Sequence, residues 1–271
     1  MKKVILVTGA SSGIGKATAL LLLQRGYTIY AAARRTEAML DLQHAGAQLL
    51  SMDVTDDDSM QSGIAEILQK EKQLDVLINN AGYGSYGALE DVPLSEARHQ
   101  FEVNVFGLAR LTQLVLPGMR ARKSGLIINI SSIGGKIAVP HGSWYHASKF
   151  ALEGLSDCLR MELRQFGIRV VIVEPGAIQT AWNGIARENL QKVSGQTAYS
   201  ALAARHVKML AKGDERFGSK PSVIAETIEK AILSRNPKTR YAAGGGARLL
   251  LFIKKIMPDK MFDSLLMSQL K

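Results

Sequence analysis

With 271 residues, 46% hydrophobic and 21% charged, the chain is long enough to bury a substantial core, and it has no low-complexity tract; a disordered or fibrous protein is excluded. Cys158 is the single cysteine, which excludes an intrachain disulfide and a cysteine-held metal cluster, and it reads as a small buried apolar residue. The formal net charge is +10, with 14 Lys and Arg against 6 Asp and Glu in residues 201–271, so the excess forms either a solvated surface or a face toward anionic lipid or an acidic carrier.

Residues 3–7 read as a buried strand, and Thr8-Gly-Ala-Ser-Ser-Gly-Ile-Gly15 then opens a helix over 16–25 closed by Gly26. The apolar run 4–7 is too short for a signal peptide, so a cytoplasmic location is expected. Strand, glycine turn and helix make a phosphate-binding arrangement. Glycines let the backbone approach a pyrophosphate, and the helix start offers N–H groups and a positive dipole end. Gly9, Gly13 and Gly15, with Ser11, Ser12 and Ile14 between them, are the candidate contacts. Their spacing is not G-x-G-x-x-G, and Ala17 after Lys16 rules out a P-loop.

Residues 27–33 form the second strand. A dinucleotide fold that prefers NAD places a carboxylate about 20 residues beyond the glycines, on the ribose 2′-OH. Here that window holds Ala33, Arg34 and Arg35. Two guanidiniums suit a 2′-phosphate, so NADP(H) is the inferred cofactor; the alternative is a pair of solvated loop arginines. A helix near 38–45 leads to a third strand over 48–54, where Asp53, next to Val54, could accept from an adenine amino group. Residues 56–70 make a helix with an acidic start. A fourth strand, 74–78, ends in Asn79-Asn80-Ala81-Gly82, which either holds its own turn together or faces a crevice at the strand ends.

A long amphipathic helix over 95–119 carries Asn104, either a core asparagine bonded to backbone or the holder of a water near Lys149. The fifth strand, 126–130, leads into SSIGGKIAVPHGSWYHASK. Tyr145 and Lys149 are four apart and stack on one helix face. A phenol titrates near ~10, and proton transfer near neutrality needs a shift of about 2 to 3 units, roughly 3 to 4 kcal/mol. One ammonium at about 4 Å, at an effective dielectric of about 20, supplies ~4 kcal/mol. Ser132 adds a second hydroxyl if the intervening loop folds back, giving a two-donor grip on one substrate oxygen. The helix continues over 150–166, and a sixth strand, 169–173, is followed by Glu174-Pro-Gly-Ala-Ile-Gln-Thr180.

The alternation predicts an α/β fold, a doubly wound parallel sheet in one domain spanning 1–271. Residues 181–220 are placed as a helical lid, 222–233 as a helix and 239–243 as a last strand. The extension 244–271 is amphipathic and too short to span a bilayer; it reads as a substrate-pocket or packing helix ahead of a peripheral membrane contact. No histidine falls in an H-E-x-x-H pattern, so no metal is expected.

TGASSGIG at 8–15, NNAG at 79–82, Asn104, Ser132, YHASK at 145–149 and PGAIQT at 175–180 together resemble the short-chain dehydrogenase/reductase superfamily. The resemblance covers roughly residues 2–180. It implies a Rossmann-like domain and a nicotinamide-dependent oxidoreductase with an Asn104, Ser132, Tyr145, Lys149 tetrad. Tyr145 would be the general acid/base and Ser132 would position the substrate oxygen. Lys149 would bind the nicotinamide ribose and lower the tyrosine pKa, and Asn104 would hold a relay water. Asn80, Ala81, Gly82, Pro175, Gly176, Ile178 and Thr180 would line the cofactor, Thr180 at the carboxamide. The closest similarity is to retinol, hydroxysteroid and acyl-dihydroxyacetone-phosphate reductase branches, which implies a small lipophilic carbonyl or alcohol substrate, with Trp144, His141, Trp182 and the tail around it. A 3-oxoacyl reductase acting on an acidic acyl carrier is the alternative, and a non-catalytic NADP(H) sensor a third. A homodimer or homotetramer is implied, and no nucleic-acid partner is expected.

Overall fold

The computed structural model describes residues 2–270, without the side chain of Asp214. Its strands are β1 Val4–Thr8, β2 Thr28–Ala33, β3 Gln48–Ser51, β4 Val76–Asn79, β5 Gly125–Ile130, β6 Ile168–Pro175 and β7 Arg240–Ala243. They pair in parallel in the order β3-β2-β1-β4-β5-β6-β7. The helices are α1 Gly13–Gln24, α2 Leu40–His44, α3 Asp57–Glu71, α4 Leu94–Phe101, α5 Leu108–Ala121, α6 Ser143–Leu163, α7 Ala181–Ser194, α8 Ser200–Phe217, α9 Ser222–Leu233, α10 Ala247–Ile256 and α11 Asp259–Ser268. This is the expected doubly wound α/β sheet.

The strands are apolar on both faces, as a sheet covered on both sides requires. Along β1, Ile5 and Val7 pack in one core with Ala19 and Leu22 of α1 and Ile224 and Ile228 of α9. Val4 and Leu6 pack in the other with Ile64 and Ile67 of α3 and Leu111 and Val115 of α5. The two-residue period of the strand separates the two cores.

Several expected boundaries move. The third strand stops at Ser51, because Asp53 Oδ1 accepts from both the backbone N–H and the hydroxyl of Thr55, each at 2.9 Å, and turns the chain out of the sheet. The helix expected near 38–45 is a 3-10 turn, Thr36–Met39, followed by the short α2. The continuous helix expected over 95–119 is α4 and α5 joined by a π-helical segment, Glu102–Gly107. A Cβ on Gly107 would overlap the Val54 carbonyl, so the segment lies hard against the chain beyond β3. Cys158 is exposed on α6, not buried, because Leu152, Glu153 and Ser156 take the inward face of that helix. The C-terminal extension is two helices broken at Pro258. Among the described residues no helix is long and apolar enough to cross a membrane.

Candidate active site

The strand order reverses between β1 and β4, and a crevice opens at their carboxyl ends. A cleft of about 640 Å³ fills it. Thr8 joins the two strand ends. Its Oγ1 accepts from the N–H groups of Asn80 and Ala81, each at 3.0 Å, while Asn80 Nδ2 donates to the Thr8 carbonyl at 2.9 Å. Asn79 points away, donating to Asn129 Oδ1 at 2.9 Å, so this asparagine holds the sheet together.

Gly9 turns the chain at φ +64°, with Ala81 Cα where its Cβ would be. Gly15 sits behind the turn and does not line the cleft. A side chain there would overlap the Gly9 carbonyl and come within 2.5 Å of Asn80 Nδ2, so its glycine lets α1 close onto the loop. No side chain caps α1: Ser12, extended at the N-cap, makes no capping bond, and the first turn holds no acid. The helix start therefore offers N–H groups and positive dipole to an anion beside Ser11, Ser12, Gly13 and Ile14, all of which line the cleft. Arg34 and Arg35, exposed at the end of β2, form the far rim with Asp53 and Val54. Ala81, Gly82, Pro175, Gly176, Ile178 and Thr180 complete the wall. Uncapped helix start, close glycine turn and twin guanidiniums fit a phosphorylated dinucleotide.

Ser132 follows β5 in extended conformation, its Oγ accepting from Gly134 N–H at 3.0 Å. Tyr145 and Lys149 reach the cleft from α6, where Ser132 also lines it beside Tyr145. The loop between them folds back because His146 pins it. Its Nδ1 lies 2.9 Å from the Gly134 carbonyl, and its Nε2 accepts from Val139 N–H at 3.1 Å. Serving both partners requires a neutral ring with its proton on Nδ1, and burial pushes its pKa down in agreement. Lys149 Nζ donates to the Ile130 carbonyl at 2.9 Å.

Asn104 does not line the cleft. From the π-helical segment its Nδ2 donates to the Tyr83 carbonyl at 2.9 Å and Ser148 Oγ at 3.0 Å, and its Oδ1 accepts from Tyr83 N–H at 3.1 Å. Both amide hydrogens are committed to protein, as in the backbone-bonded reading of this residue. The electrostatic expectation for Tyr145 also changes. Burial pushes the phenol up to about 12, opposed by the neighbouring Ser132 hydroxyl. Burial likewise brings Lys149 down to about 8, opposed by the Glu153 carboxylate. Desolvation governs both groups, because both are buried and Lys149 Nζ is turned to Ile130.

Beyond Tyr145 the cleft becomes apolar, walled by Val139, Trp182, Ile185, Met209, Leu250 and Leu266. Helices α7, α8, α10 and α11 thus all reach it. Trp144 and His141 do not: Trp144 packs edge-on against Phe101 at 6.4 Å, and His141 is held 3.0 Å from His206. Tyr86, which the sequence did not single out, stands in their place, its ring 5.8 Å from those of Tyr145 and Trp182. The only signal for it is an aromatic between small residues in the loop after β4.

Comparison with known proteins places this geometry. The family model described as short chain dehydrogenase matches residues 3–191. The 3-ketodihydrosphingosine reductase of Bacteroides thetaiotaomicron is 36% identical over 263 residues, 96% of this chain and 95% of that protein. The NADPH-dependent 3-dehydrocapnine reductase of Ornithobacterium rhinotracheale is 33% identical over 274 residues, 98% of this chain and 96% of that protein. A short-chain dehydrogenase structure from Streptomyces avermitilis superposes with a TM-score of 0.82 at 37% identity, covering 99% of this chain and 95% of that one. The chain is an oxidoreductase of the short-chain dehydrogenase/reductase superfamily.

Proposed function

We propose that the protein is an NADP(H)-dependent oxidoreductase that interconverts a ketone and an alcohol on a lipophilic substrate. The observation that carries this is the composition of one continuous cleft, with Arg34 and Arg35 at one end, Ser132 and Tyr145 in the middle and an apolar wall at the other. Two guanidiniums with no carboxylate at the end of β2 favour a 2′-phosphate over a free ribose hydroxyl. The relatives named above as reductases of 3-ketodihydrosphingosine and, with NADPH, of 3-dehydrocapnine support a reductive direction.

The bound nicotinamide would supply or accept a hydride at the carbonyl carbon. The chain's own residues do the rest. Ser132 and Tyr145 converge on the carbonyl oxygen, and a phenol held well above neutrality by burial stays protonated and ready to donate as the oxygen gains charge. Lys149, fixed by Ile130 next to Gly82, would hold the nicotinamide ribose, and its ammonium would favour the phenolate left behind. Trp182 and Tyr86, packed beside Tyr145, would keep water from the reacting carbon.

NADPH oxidation against retinal, ketosteroids, 3-ketodihydrosphingosine, acyl-dihydroxyacetone phosphate and 3-oxoacyl thioesters, with NADH in parallel, tests the reading. Turnover of a lipophilic ketone with NADPH preferred is expected. Preference for NADH would remove the role of the arginine pair, and turnover confined to carrier-bound 3-oxoacyl thioesters would favour the acyl-carrier alternative.

A further inference from the structure

The two C-terminal helices present large apolar side chains that nothing in the fold covers. On α10, Leu249, Phe252 and Ile256 are 65, 59 and 65% exposed at i, i+3 and i+7, a single helical face, and Arg248 and Lys255, both exposed, flank it. On α11, Met261 and Leu265 are exposed one turn apart, with Lys260 beside them. Soluble surfaces scatter exposed apolar residues singly; a helix face that exposes three together marks an interaction site.

A second feature adjoins it. Arg205, Lys208, Lys212 and Arg216 fall at i, i+3, i+7 and i+11 along α8, all exposed, and make a basic stripe up one side of that helix. Arg205 donates to the Leu270 carbonyl at 3.5 Å, so the stripe begins where α11 ends. The same three helices border the apolar arm of the cleft. Met209 of α8, Leu250 of α10 and Leu266 of α11 line it from within, one residue away from Lys208, Leu249 and Leu265, which face outward.

We propose that this face docks on an anionic lipid bilayer, with Leu249, Phe252 and Ile256 seated among the acyl chains and the α8 stripe over the headgroups. Charge and apolarity together select this occupant. Cations alone would suit an acidic carrier protein, and apolar side chains alone a second copy of the chain, whereas apolar anchors edged with Lys and Arg match the boundary between headgroup and acyl chain. The helices lie on the membrane, since none is long and apolar enough to cross it. Docked this way, the apolar arm of the cleft opens beside the bilayer. The inference concerns binding and stands independently of the reaction proposed above.

Co-sedimentation of the full-length protein with vesicles of phosphatidylcholine, with and without 30% phosphatidylglycerol, tests it. The protein is expected to pellet with the anionic vesicles, at least about tenfold more tightly than with neutral ones, and progressively less as salt rises. Phe252→Glu with Ile256→Glu, both exposed, is expected to abolish binding while leaving the melting temperature unchanged. Lys208→Ala with Lys212→Ala should weaken it about fivefold per charge at low salt. Three results would overturn the proposal: wild-type protein left in the supernatant with anionic vesicles at low salt, full binding by the F252E/I256E variant, or a change of oligomeric state by light scattering in that variant, which would assign the face to a subunit contact. Loss of turnover on an acyl-carrier substrate in the F252E/I256E variant, without vesicle binding by the wild type, would assign it to a carrier protein instead.

Discussion

Lys149 carries its charge in a place that resists it, and the cost is measurable without substrate. Burial lowers its pKa from 10.5 to about 8. At ~1.4 kcal/mol per unit, a shift of that size corresponds to about 3 kcal/mol of stability withheld from the fold. The sign follows from proton counting. Below pH 8 both folded and unfolded chains hold the proton and the full penalty applies; between about 8 and 10.5 the unfolded chain holds more protons, so stability rises with pH and the penalty is gone above that range. Lys149→Met keeps the volume and removes the charge, but it leaves the Ile130 carbonyl unpaired, at a cost of about 1 kcal/mol. The net expectation at pH 7, without cofactor, is a gain of about 2 kcal/mol, or roughly 5 °C in melting temperature. Urea denaturation at pH 7 and pH 10 reads it. The variant should be the more stable at pH 7, with the difference shrinking or reversing at pH 10, and inactive at both. A variant no more stable at pH 7, or a difference independent of pH, would refute the reasoning.

Two further substitutions separate cofactor selection from site geometry. Arg34→Ala with Arg35→Ala should weaken NADPH binding about 10- to 100-fold and leave NADH binding unchanged by titration calorimetry; equal losses for both would make the pair a general anion attractor. His146→Phe removes both His146 bonds to the 134–139 segment, leaving the Lys136–Glu153 ion pair as a remaining tie to α6, so turnover should fall by up to about 100-fold through displaced Ser132, with NADPH affinity retained; unchanged turnover would show that Ser132 is placed without it.

Strand positions were legible because runs such as VILV and LIINI are apolar on both faces and bounded by turn residues, and that pattern has few other solutions in an alternating α/β chain. The glycine turn, the arginine pair and the Tyr145–Lys149 spacing were legible as local chemistry. The break at residues 102–107 was not, since the amphipathic pattern runs through it; only Gly107 inside that pattern hints at a close backbone approach. The Tyr145 environment also escaped the sequence. Spacing shows that a lysine is one turn away, but not that both groups are buried deeply enough for desolvation to prevail. The division of the C-terminal extension at Pro258 was passed over by the single-helix reading, although a proline breaks a helix, and His146 was visible beside Tyr145 while its two backbone partners were not.

Tyr145→Phe tests the proposed reaction most directly. Removal of one hydroxyl oxygen from a side chain packed against Trp182 and Tyr86 should leave the fold and the cofactor end of the cleft intact. With a lipophilic ketone that the wild-type protein reduces, NADPH-dependent turnover is expected to fall by about 100- to 10,000-fold while NADPH binds as before. A variant that keeps more than about a tenth of the wild-type rate would contradict Tyr145 as the proton donor, because general acid catalysis of this kind contributes at least about 100-fold.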